Sequence, residues 1–259
     1  MHRHLLACTA AAAILLAPAA AAAQDFRWHG SIAQGQSIEV KGVNGDVRAE
    51  PSGGNDVEVT ADKRARRDNP DSVQIQVVPH AGGVTICAVY PSRDGSRPNE
   101  CQPGDGGRMN VQNNDVTVSF IVRVPAGVHF VGRTVNGEVE ATRLNGDVNL
   151  STVNGSVTFS TTGNGRASTV NGSIRGEMGR ADWNDRLEMS TVNGSITLTF
   201  PSTLNTEVKA STVNGDISTE FPLSMTGRVS RRRVEGTIGA GGRSLSLESV
   251  NGGITLKKQ

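Results

Sequence analysis

The composition of this chain excludes several classes of protein. The chain has 259 residues, and its 26 Lys and Arg residues nearly balance its 25 Asp and Glu residues. A nucleic-acid partner is therefore not expected, because nucleic-acid binding needs a clear excess of basic residues. The 31 glycines and 10 prolines are typical of a β-rich chain with many turns, and so few aromatic residues (2 Trp, 1 Tyr and 6 Phe) disfavour an aromatic-lined sugar groove.

Residues 1–23 have the pattern of a signal peptide. Arg3 provides a basic start, residues 5–16 are apolar, and the small residues up to Ala23 suit cleavage. The apolar stretch is too short and too rich in alanine to span a hydrocarbon layer of about 30 Å. We expect export to the periplasm, the outer cell envelope or the extracellular space, with Cys8 removed along with the signal.

Alternation of apolar and polar residues predicts strands in the first half of the mature chain. The segments are 38–43, 57–60, 73–78, 84–89 and 116–122. The pattern breaks around Pro125, before a dense run of repeats begins. We therefore predict one domain with an irregular N-terminal β half (24–130), a regular β-repeat half (131–259) and little or no helix.

Cys87 and Cys101 are the two cysteines that remain after the signal peptide is removed. An even number of cysteines in an exported protein predicts a structural disulfide. A redox or metal-binding pair would need a Cys-x-x-Cys spacing or nearby histidines, and neither is found.

Two basic clusters interrupt the neutral chain. They consist of Lys63, Arg64, Arg66 and Arg67, and of Arg231, Arg232 and Arg233. They are either solvated loop residues or contacts for anionic lipid headgroups or polysaccharide.

A five-residue phrase recurs along the chain: an apolar residue, Asn-Gly, a small or acidic residue, and Val or Ile. Glycine adopts positive φ without a Cβ clash and asparagine tolerates it, so each Asn-Gly predicts a corner. The flanking Val and Ile residues suit strands. The predicted corners are Asn44 and Gly45, Asn136 and Gly137, Asn145 and Gly146, Asn154 and Gly155, Asn171 and Gly172, Asn193 and Gly194, Asn214 and Gly215, and Asn251 and Gly252.

The spacing of these corners indicates the architecture. From Asn136 to Asn214 the main corners recur after 18, 17, 22 and 21 residues, and a degenerate copy at 234–238 continues the register. Such periods are typical of one coil of a solenoid. We predict an all-β, single-stranded parallel β-helix with inward Val and Ile and an Asn ladder along one edge, because repeat proteins bury their core by stacking like on like. The alternative is an antiparallel meander or sandwich with hairpin turns.

The residues that could carry chemistry form no recognisable constellation. His29, His80 and His129 lack metal-ligand spacing, and the common hydrolase and phosphate-binding motifs are absent. Asp46, Asp147 and Asp216 follow corners, but serine replaces them in sister repeats, so we interpret them as stacking positions and not as an acid and base pair. We predict no catalytic residue, no metal and no cofactor.

The order of these features resembles the bacterial putative-adhesin family of β-strand-repeat proteins, DUF4097. The matching segments are 42–45, 86–91 with the following Cys101, 118–128, and the run of Ser-Thr-Val-Asn-Gly phrases. The resemblance covers nearly all of the mature chain. It implies a right-handed, solenoid-like β fold at the cell envelope, and it brings no catalytic residue.

We therefore expect a non-enzymatic, adhesin-like binding or structural module. Its partner would be envelope polysaccharide, a membrane surface or another envelope protein, held by many weak polar contacts that repetition makes adequate. One alternative is a carbohydrate-active β-helix enzyme. Another is a scaffold that assembles end to end through the terminal repeat 250–256, with Lys257 and Lys258 guarding that edge.

Overall fold

The computed structural model describes residues 26–93, 97–184, 186–225 and 230–259, so the predicted signal peptide lies outside the described residues. The described chain is all-β, with one 3₁₀ turn at Pro70–Ser72. Within it no helix has the length and apolarity of a membrane span.

The first eleven strands are β1 (Phe26–Ser31), β2 (Ser37–Lys41), β3 (Val47–Pro51), β4 (Asp56–Arg64), β5 (Gln74–His80), β6 (Gly83–Val89), β7 (Thr117–Val124), β8 (His129–Arg133), β9 (Val139–Leu144), β10 (Val148–Ser151) and β11 (Val157–Thr161). The remaining ten are β12 (Gly165–Ser168), β13 (Ile174–Met178), β14 (Arg186–Asn193), β15 (Ile196–Phe200), β16 (Thr206–Asn214), β17 (Ile217–Thr219), β18 (Leu223–Met225), β19 (Arg233–Ile238), β20 (Ser244–Asn251) and β21 (Ile254–Lys258).

These strands form two large sheets around one apolar core. The ten-stranded sheet has the order β1-β4-β7-β3-β9-β11-β13-β15-β21-β17, and the eleven-stranded sheet has the order β18-β19-β16-β20-β14-β12-β10-β8-β2-β6-β5. Alternate side chains are buried, as in β11 and β15. The ring of Phe159 in the ten-stranded sheet lies so close to Gly165 of the other sheet that a Cβ there would be 2.2 Å from it. The core therefore lies between the sheets.

Successive coils of the repeat half pair in parallel. Val148 of β10 is level with Phe130 of β8 on one side and with Gly165 of β12 on the other. Val157 of β11 is level with Val139 and Ile174 in the same way. This pairing excludes an antiparallel meander for these coils. Antiparallel pairs occur toward the ends of the sheets, for example between β1 and β4, β5 and β6, and β16 and β19.

The order of coils in space differs from their order along the chain. The last coil, β20 and β21, lies between the coil of β14 and β15 and the coil of β16 and β17. The repeat 250–256 is therefore internal, and its predicted role as an exposed terminal edge guarded by Lys257 and Lys258 is wrong. The coil of β2 and β3 pairs directly with β8 and β9, so the expected boundary at residue 130 falls inside β8.

The degenerate copy at 234–238 does not continue the parallel register. It lies in β19, which pairs antiparallel with both β16 and β18. Glu235 stands where the other copies have asparagine, so this segment carries no amide that could join its neighbours. The prediction that the register continues through this copy is therefore wrong.

Candidate functional site

Seven asparagine side chains form a hydrogen-bonded ladder along one corner of the coils. In each step the Nδ2 of one Asn donates to the Oδ1 of the Asn in the adjacent coil, at 2.7 to 2.9 Å. The order in space is Asn44, Asn136, Asn154, Asn171, Asn193, Asn251 and Asn214. An amide has two donor hydrogens and two acceptor lone pairs, so each internal Asn keeps one donor and one acceptor beyond the ladder. Six of the seven, all but Asn44, are solvent-exposed.

The Asn145 corner is not part of this ladder. Its backbone carbonyl accepts from the amide of Gly127, and the carbonyl of Gly146 accepts from the hydroxyl of Thr161. Asn145 connects β9 of the ten-stranded sheet to β10 of the other, whereas the ladder corners connect the sheets in the opposite direction. This corner therefore lies on the other edge of the coils.

The glycine of each phrase is required for space between coils. A Cβ at Gly155 would lie 1.9 Å from the carbonyl oxygen of Gly137, and a Cβ at Gly172 would lie 1.9 Å from that of Gly155. Among the glycines of the ladder corners, only Gly45 and Gly252 have positive φ. The sequence argument from positive φ was therefore wrong for most corners, and close backbone approach is the physical reason.

In six of the seven ladder coils, the residue before the Val is a buried Thr or Ser that joins adjacent coils. Thr169 Oγ1 donates to the carbonyl of Gly155 at 2.8 Å, and Thr191 Oγ1 donates to that of Gly172 at 2.8 Å. The equivalent positions, all with at most 6% exposure, are Thr134, Thr152, Thr169, Thr191, Thr212 and Ser249. These hydroxyls satisfy backbone carbonyls of the adjacent coil, so they are not among the polar groups that could contact a partner.

The valine of the phrase faces solvent, although the sequence predicted that it would point inward. Val135, Val153, Val170, Val192, Val213 and Val250 are 38 to 56% exposed. Adjacent strands lie about 4.8 Å apart, so these valines form a regular column beside the asparagine ladder. We call the two columns together the corner edge. Along this edge, apolar methyl groups and free amide groups lie side by side and recur once in each coil.

A cavity of about 630 Å³ adjoins the first coils of the corner edge. It is bounded by Asn44 and Asn136 on one side and by the segment 104–114 on the other. The predicted disulfide between Cys87 and Cys101 is present, with 5.7 Å between the Cα atoms, and it ties this segment to β6.

Charged side chains hold the same segment against the coils. Lys41 Nζ donates to the carbonyls of Gln102 at 2.6 Å and Gly106 at 3.2 Å. Burial lowers the pKa of Lys41, while the nearby Glu39 carboxylate acts in the opposite direction. Glu39 is 4% exposed, and Arg133 Nε lies 3.3 Å from its Oε1. These charged groups contact other groups of the protein, so their role is to hold the wall of the cavity in place.

A second polar recess, of about 550 Å³, was not anticipated from the sequence. It lies over β8, β10 and β12 and is lined by His129, Asp147, Arg180 and Asp182, among others. A hydrogen bond from Arg180 lowers the pKa of Asp182. Asn164 Oδ1 is buried here without a hydrogen-bond partner among the described residues. Because these residues come from separate coils, no single repeat could have indicated the recess.

The two basic clusters lie at opposite ends of the molecule. In the first, Lys63 lies 3.6 Å from Asp71, Arg64 lies 2.6 Å from Asp62, and Arg67 lies 3.2 Å from Asp115. The exposed Arg66 belongs to the same cluster. In the second cluster, Arg233 pairs with Glu235 at 2.9 Å. The clusters therefore do not form one surface, and much of the first cluster's charge is balanced locally.

The three carboxylates that follow corners do not come together. Asp46 and Asp216 occupy the first and seventh coils of the corner edge, roughly 29 Å apart at about 4.8 Å per coil. Asp147 lies on the other edge, where its Oδ1 accepts from the backbone amide of Asn164 at 2.8 Å. Paired glycosidase carboxylates lie within about 9.5 Å of each other. Among the described residues, no group of three His, Cys, Asp or Glu side chains could hold a metal ion.

Two mostly parallel sheets, joined by stacked Asn-Gly phrases, define a β-solenoid-like repeat protein. Residues 138–257 match the family described as Toastrack DUF4097. The match covers most of the repeat half, and the resemblance to DUF4097 predicted from the sequence is confirmed there. No curated protein matches the chain significantly.

Three solved bacterial proteins show what this chain is similar to. A putative cell adhesion protein from Clostridium sporogenes is 12% identical, covers 90% of this chain and 99% of its own, and has a TM-score of 0.47. A putative adhesin from Bacteroides fragilis is 13% identical, with 90% and 96% coverage and a TM-score of 0.35. A putative lipid binding protein from Parabacteroides distasonis is 11% identical, with 90% and 97% coverage and a TM-score of 0.24. Similarities this low carry no conclusion about this chain.

Proposed function

We propose that this protein is an exported, non-enzymatic binding module of the cell envelope that holds a linear polysaccharide along the corner edge. The predicted signal peptide supports export, and the surface that would bind is the corner edge, where six adjacent coils each expose a Val and an Asn. The observation that carries the proposal is the outward column of valines beside an asparagine ladder with free donors and acceptors.

The chemistry of this edge matches that of a sugar chain. A pyranose ring has an apolar face of C–H groups and a rim of hydroxyl groups. Valine methyls pack against the C–H groups, while each free amide donor and acceptor meets a hydroxyl. A soluble protein rarely exposes a continuous apolar column without a partner, and the amides beside this one direct it toward a polar ligand.

Repetition and rigidity make weak contacts sufficient. Each of the six coils from Asn136 to Asn214 contributes one exposed Val and one exposed Asn. A polymer with a short repeat engages several coils at once, which raises the effective concentration at every further contact. The ladder holds the amides in place before binding, so little side-chain freedom is lost on association. A membrane surface and another envelope protein are the competing partners, and the two basic clusters are the residues that they would use.

The test is retention of the mature protein, residues 24–259, on immobilised envelope polysaccharide, on anionic vesicles and on envelope protein fractions. The triple substitution of Val153, Val170 and Val192 by Thr keeps the β-branched shape and removes the apolar column. We expect it to lower polysaccharide retention at least tenfold. Ile121→Thr is the matched control, because Ile121 is 46% exposed but lies outside the corner edge. It should change retention less than twofold.

Circular dichroism and thermal unfolding establish that the variants fold. A folded triple variant that is retained as well as the unmodified protein would contradict the proposal. If the protein is retained only on vesicles, and replacing Arg231 and Arg232 abolishes this retention, the partner is a membrane surface and not a polysaccharide.

A further inference from the structure

The end of the molecule formed by β17, β18 and β19 contains an apolar cavity that the corner edge does not explain. Its volume is about 400 Å³, and we call it the end cavity. The eleven-stranded sheet continues through β19 and β18 beyond β16, whereas the ten-stranded sheet stops at the three-residue β17. Among the described residues, the inner face of β18 and β19 therefore has no strand opposite it. The cavity lies at this end of the core.

The lining of the end cavity is mostly apolar. Val208, Ala210 and Leu256 are at most 3% exposed and form the floor. Leu223 and Val234 are half-buried, and Met225 at the mouth is 50% exposed. A volume of this size lies within the range of small-molecule sites, which are concave and mostly apolar with few polar groups. The shape and chemistry suit a flexible hydrocarbon chain.

A charged side chain lies at this cavity. Arg231 is the only charged residue among the described residues that line it. The backbone here is held in place, because the carbonyl of Arg231 accepts from the amide of Ile217 at 3.0 Å and that of Arg232 accepts from Thr212 at 2.9 Å. Arg233 is paired with Glu235, whereas Arg231 has no carboxylate partner among the described residues. An unpaired guanidinium at the rim of an apolar cavity is suited to an anionic headgroup.

We propose that the end cavity binds the acyl chain of an anionic amphiphile, with a carboxylate or phosphate headgroup paired to Arg231. The chain fills the space between β16, β17 and β19, and the headgroup stays at the solvent-exposed rim. This site is separate from the corner edge and does not depend on polysaccharide binding.

The test uses the mature protein with octanoate, decanoate and dodecanoate, each displacing an environment-sensitive fluorescent probe. Affinity should rise about fourfold for each added methylene that enters the cavity. Arg231→Gln should weaken dodecanoate binding at least tenfold and leave dodecanol unchanged. Arg232→Gln is the matched control, because it removes the same charge from the adjacent residue, which does not line the cavity. It should change binding less than twofold.

Two further experiments are needed. The first distinguishes binding inside the cavity from adsorption to the protein surface, and the second identifies the source of the acyl chain. Val234→Trp, which fills the cavity, and Leu223→Gln, which makes its wall polar, should each abolish binding of both ligands. Retention on phosphatidylglycerol vesicles that is lost in Val234→Trp would identify a membrane lipid as the source, whereas binding of dissolved dodecanoate alone would identify a free amphiphile. Absence of saturable binding, independence of chain length, or equal effects at Arg231 and Arg232 would overturn the proposal.

Discussion

The side-chain amide of Asn214 donates to Oδ1 of Asn251 at 2.8 Å, although 37 residues separate them along the chain. Asn251 in turn donates to Asn193, so the C-terminal coil is inserted between two coils that are consecutive in sequence. Strand β20 pairs in parallel with β14 on one side and with β16 on the other. The last coil therefore connects the coil of β16 and β17 to the regular repeats that precede it.

Leu247 tests this insertion, because it is fully buried in β20 between Met189 and Ala210. Leu247→Ala should lower the free energy of unfolding by about 2–5 kcal/mol through lost burial and a residual cavity. Hydrogen exchange should show lost protection in both β14 and β16. Lys257→Ala, at an exposed position of β21, should change stability by less than about 0.5 kcal/mol. Lost protection confined to β16 would contradict the inserted position.

Gly155 tests the close approach of the coils. Because an added Cβ would lie 1.9 Å from the carbonyl of Gly137, Gly155→Ala should force two coils apart. We expect a loss of about 3 kcal/mol or more, measured by urea unfolding. Gly53→Ala is the matched control, because a Cβ there has no atom within 4 Å. A similar small effect at both positions would show that the corner glycines are not required for stacking.

Thr169 tests the buried hydroxyl column. Thr169→Val keeps the shape but removes the donor to the Gly155 carbonyl, leaving a backbone acceptor without its partner. The expected loss is about 1–3 kcal/mol. Thr169→Ser retains the hydroxyl, so it should be the more stable of the two variants in thermal unfolding. The reverse order would mean that the methyl group of Thr169, and not its hydroxyl, stabilises the coil.

The disulfide of Cys87 and Cys101 should stabilise the protein by about 3 kcal/mol, the entropic effect for a loop with a sequence separation of 14. Replacing both cysteines by alanine should lower the urea midpoint by the corresponding amount. A reducing agent should lower it for the unmodified protein and leave the double variant unaffected. Equal midpoints in oxidised and reduced protein would show that the buried charges around Lys41 hold the segment without the bond.

Ionisation of the buried Tyr90 side chain should lower the free energy of unfolding at high pH. Burial raises its pKa to about 12, although the backbone N–H of Asn44, 3.4 Å away, donates to its hydroxyl oxygen and acts in the opposite direction. The unfolded chain releases this proton near pH 10 and the folded protein only near pH 12. The contribution is therefore fully present below about pH 10 and falls by up to about 2.7 kcal/mol as the pH rises to 12.

Because Tyr90 is the single tyrosine, the absorbance of tyrosinate reports its ionisation directly. Tyr90→Phe should lose this pH-dependent part of the stability, so the difference between the two proteins isolates it from lysine and arginine titration. A tyrosinate midpoint near pH 10 in the folded protein would contradict the prediction.

Local sequence predicted much of the fold because the relevant interactions repeat at short range. Alternation predicted strands, the period of the Asn-Gly phrases predicted stacked coils, and two cysteines predicted a disulfide. The orientation of Val153 and its equivalents was predicted wrongly, because alternation does not indicate which side of a corner faces the core. The role of glycine was also misjudged, because the clash partner is a carbonyl of another coil.

The end cavity and the second recess could not be predicted, because each collects residues from distant parts of the chain. Val208 and Leu256 share the end cavity, as His129 and Asp182 share the recess. Neither set has a characteristic spacing in sequence.

The sequence by itself determined the all-β character, the period of the coils and the chemistry of each corner, because these depend on local backbone preference and on like phrases stacking on like. Only the tertiary structure decided the order of the coils, the antiparallel return of β19 and the cavity at that end of the core. The seven coils carry nearly the same corner phrase, so many stacking orders satisfy the same local rules. The long-range pairing of β20 between β14 and β16 selects one of them.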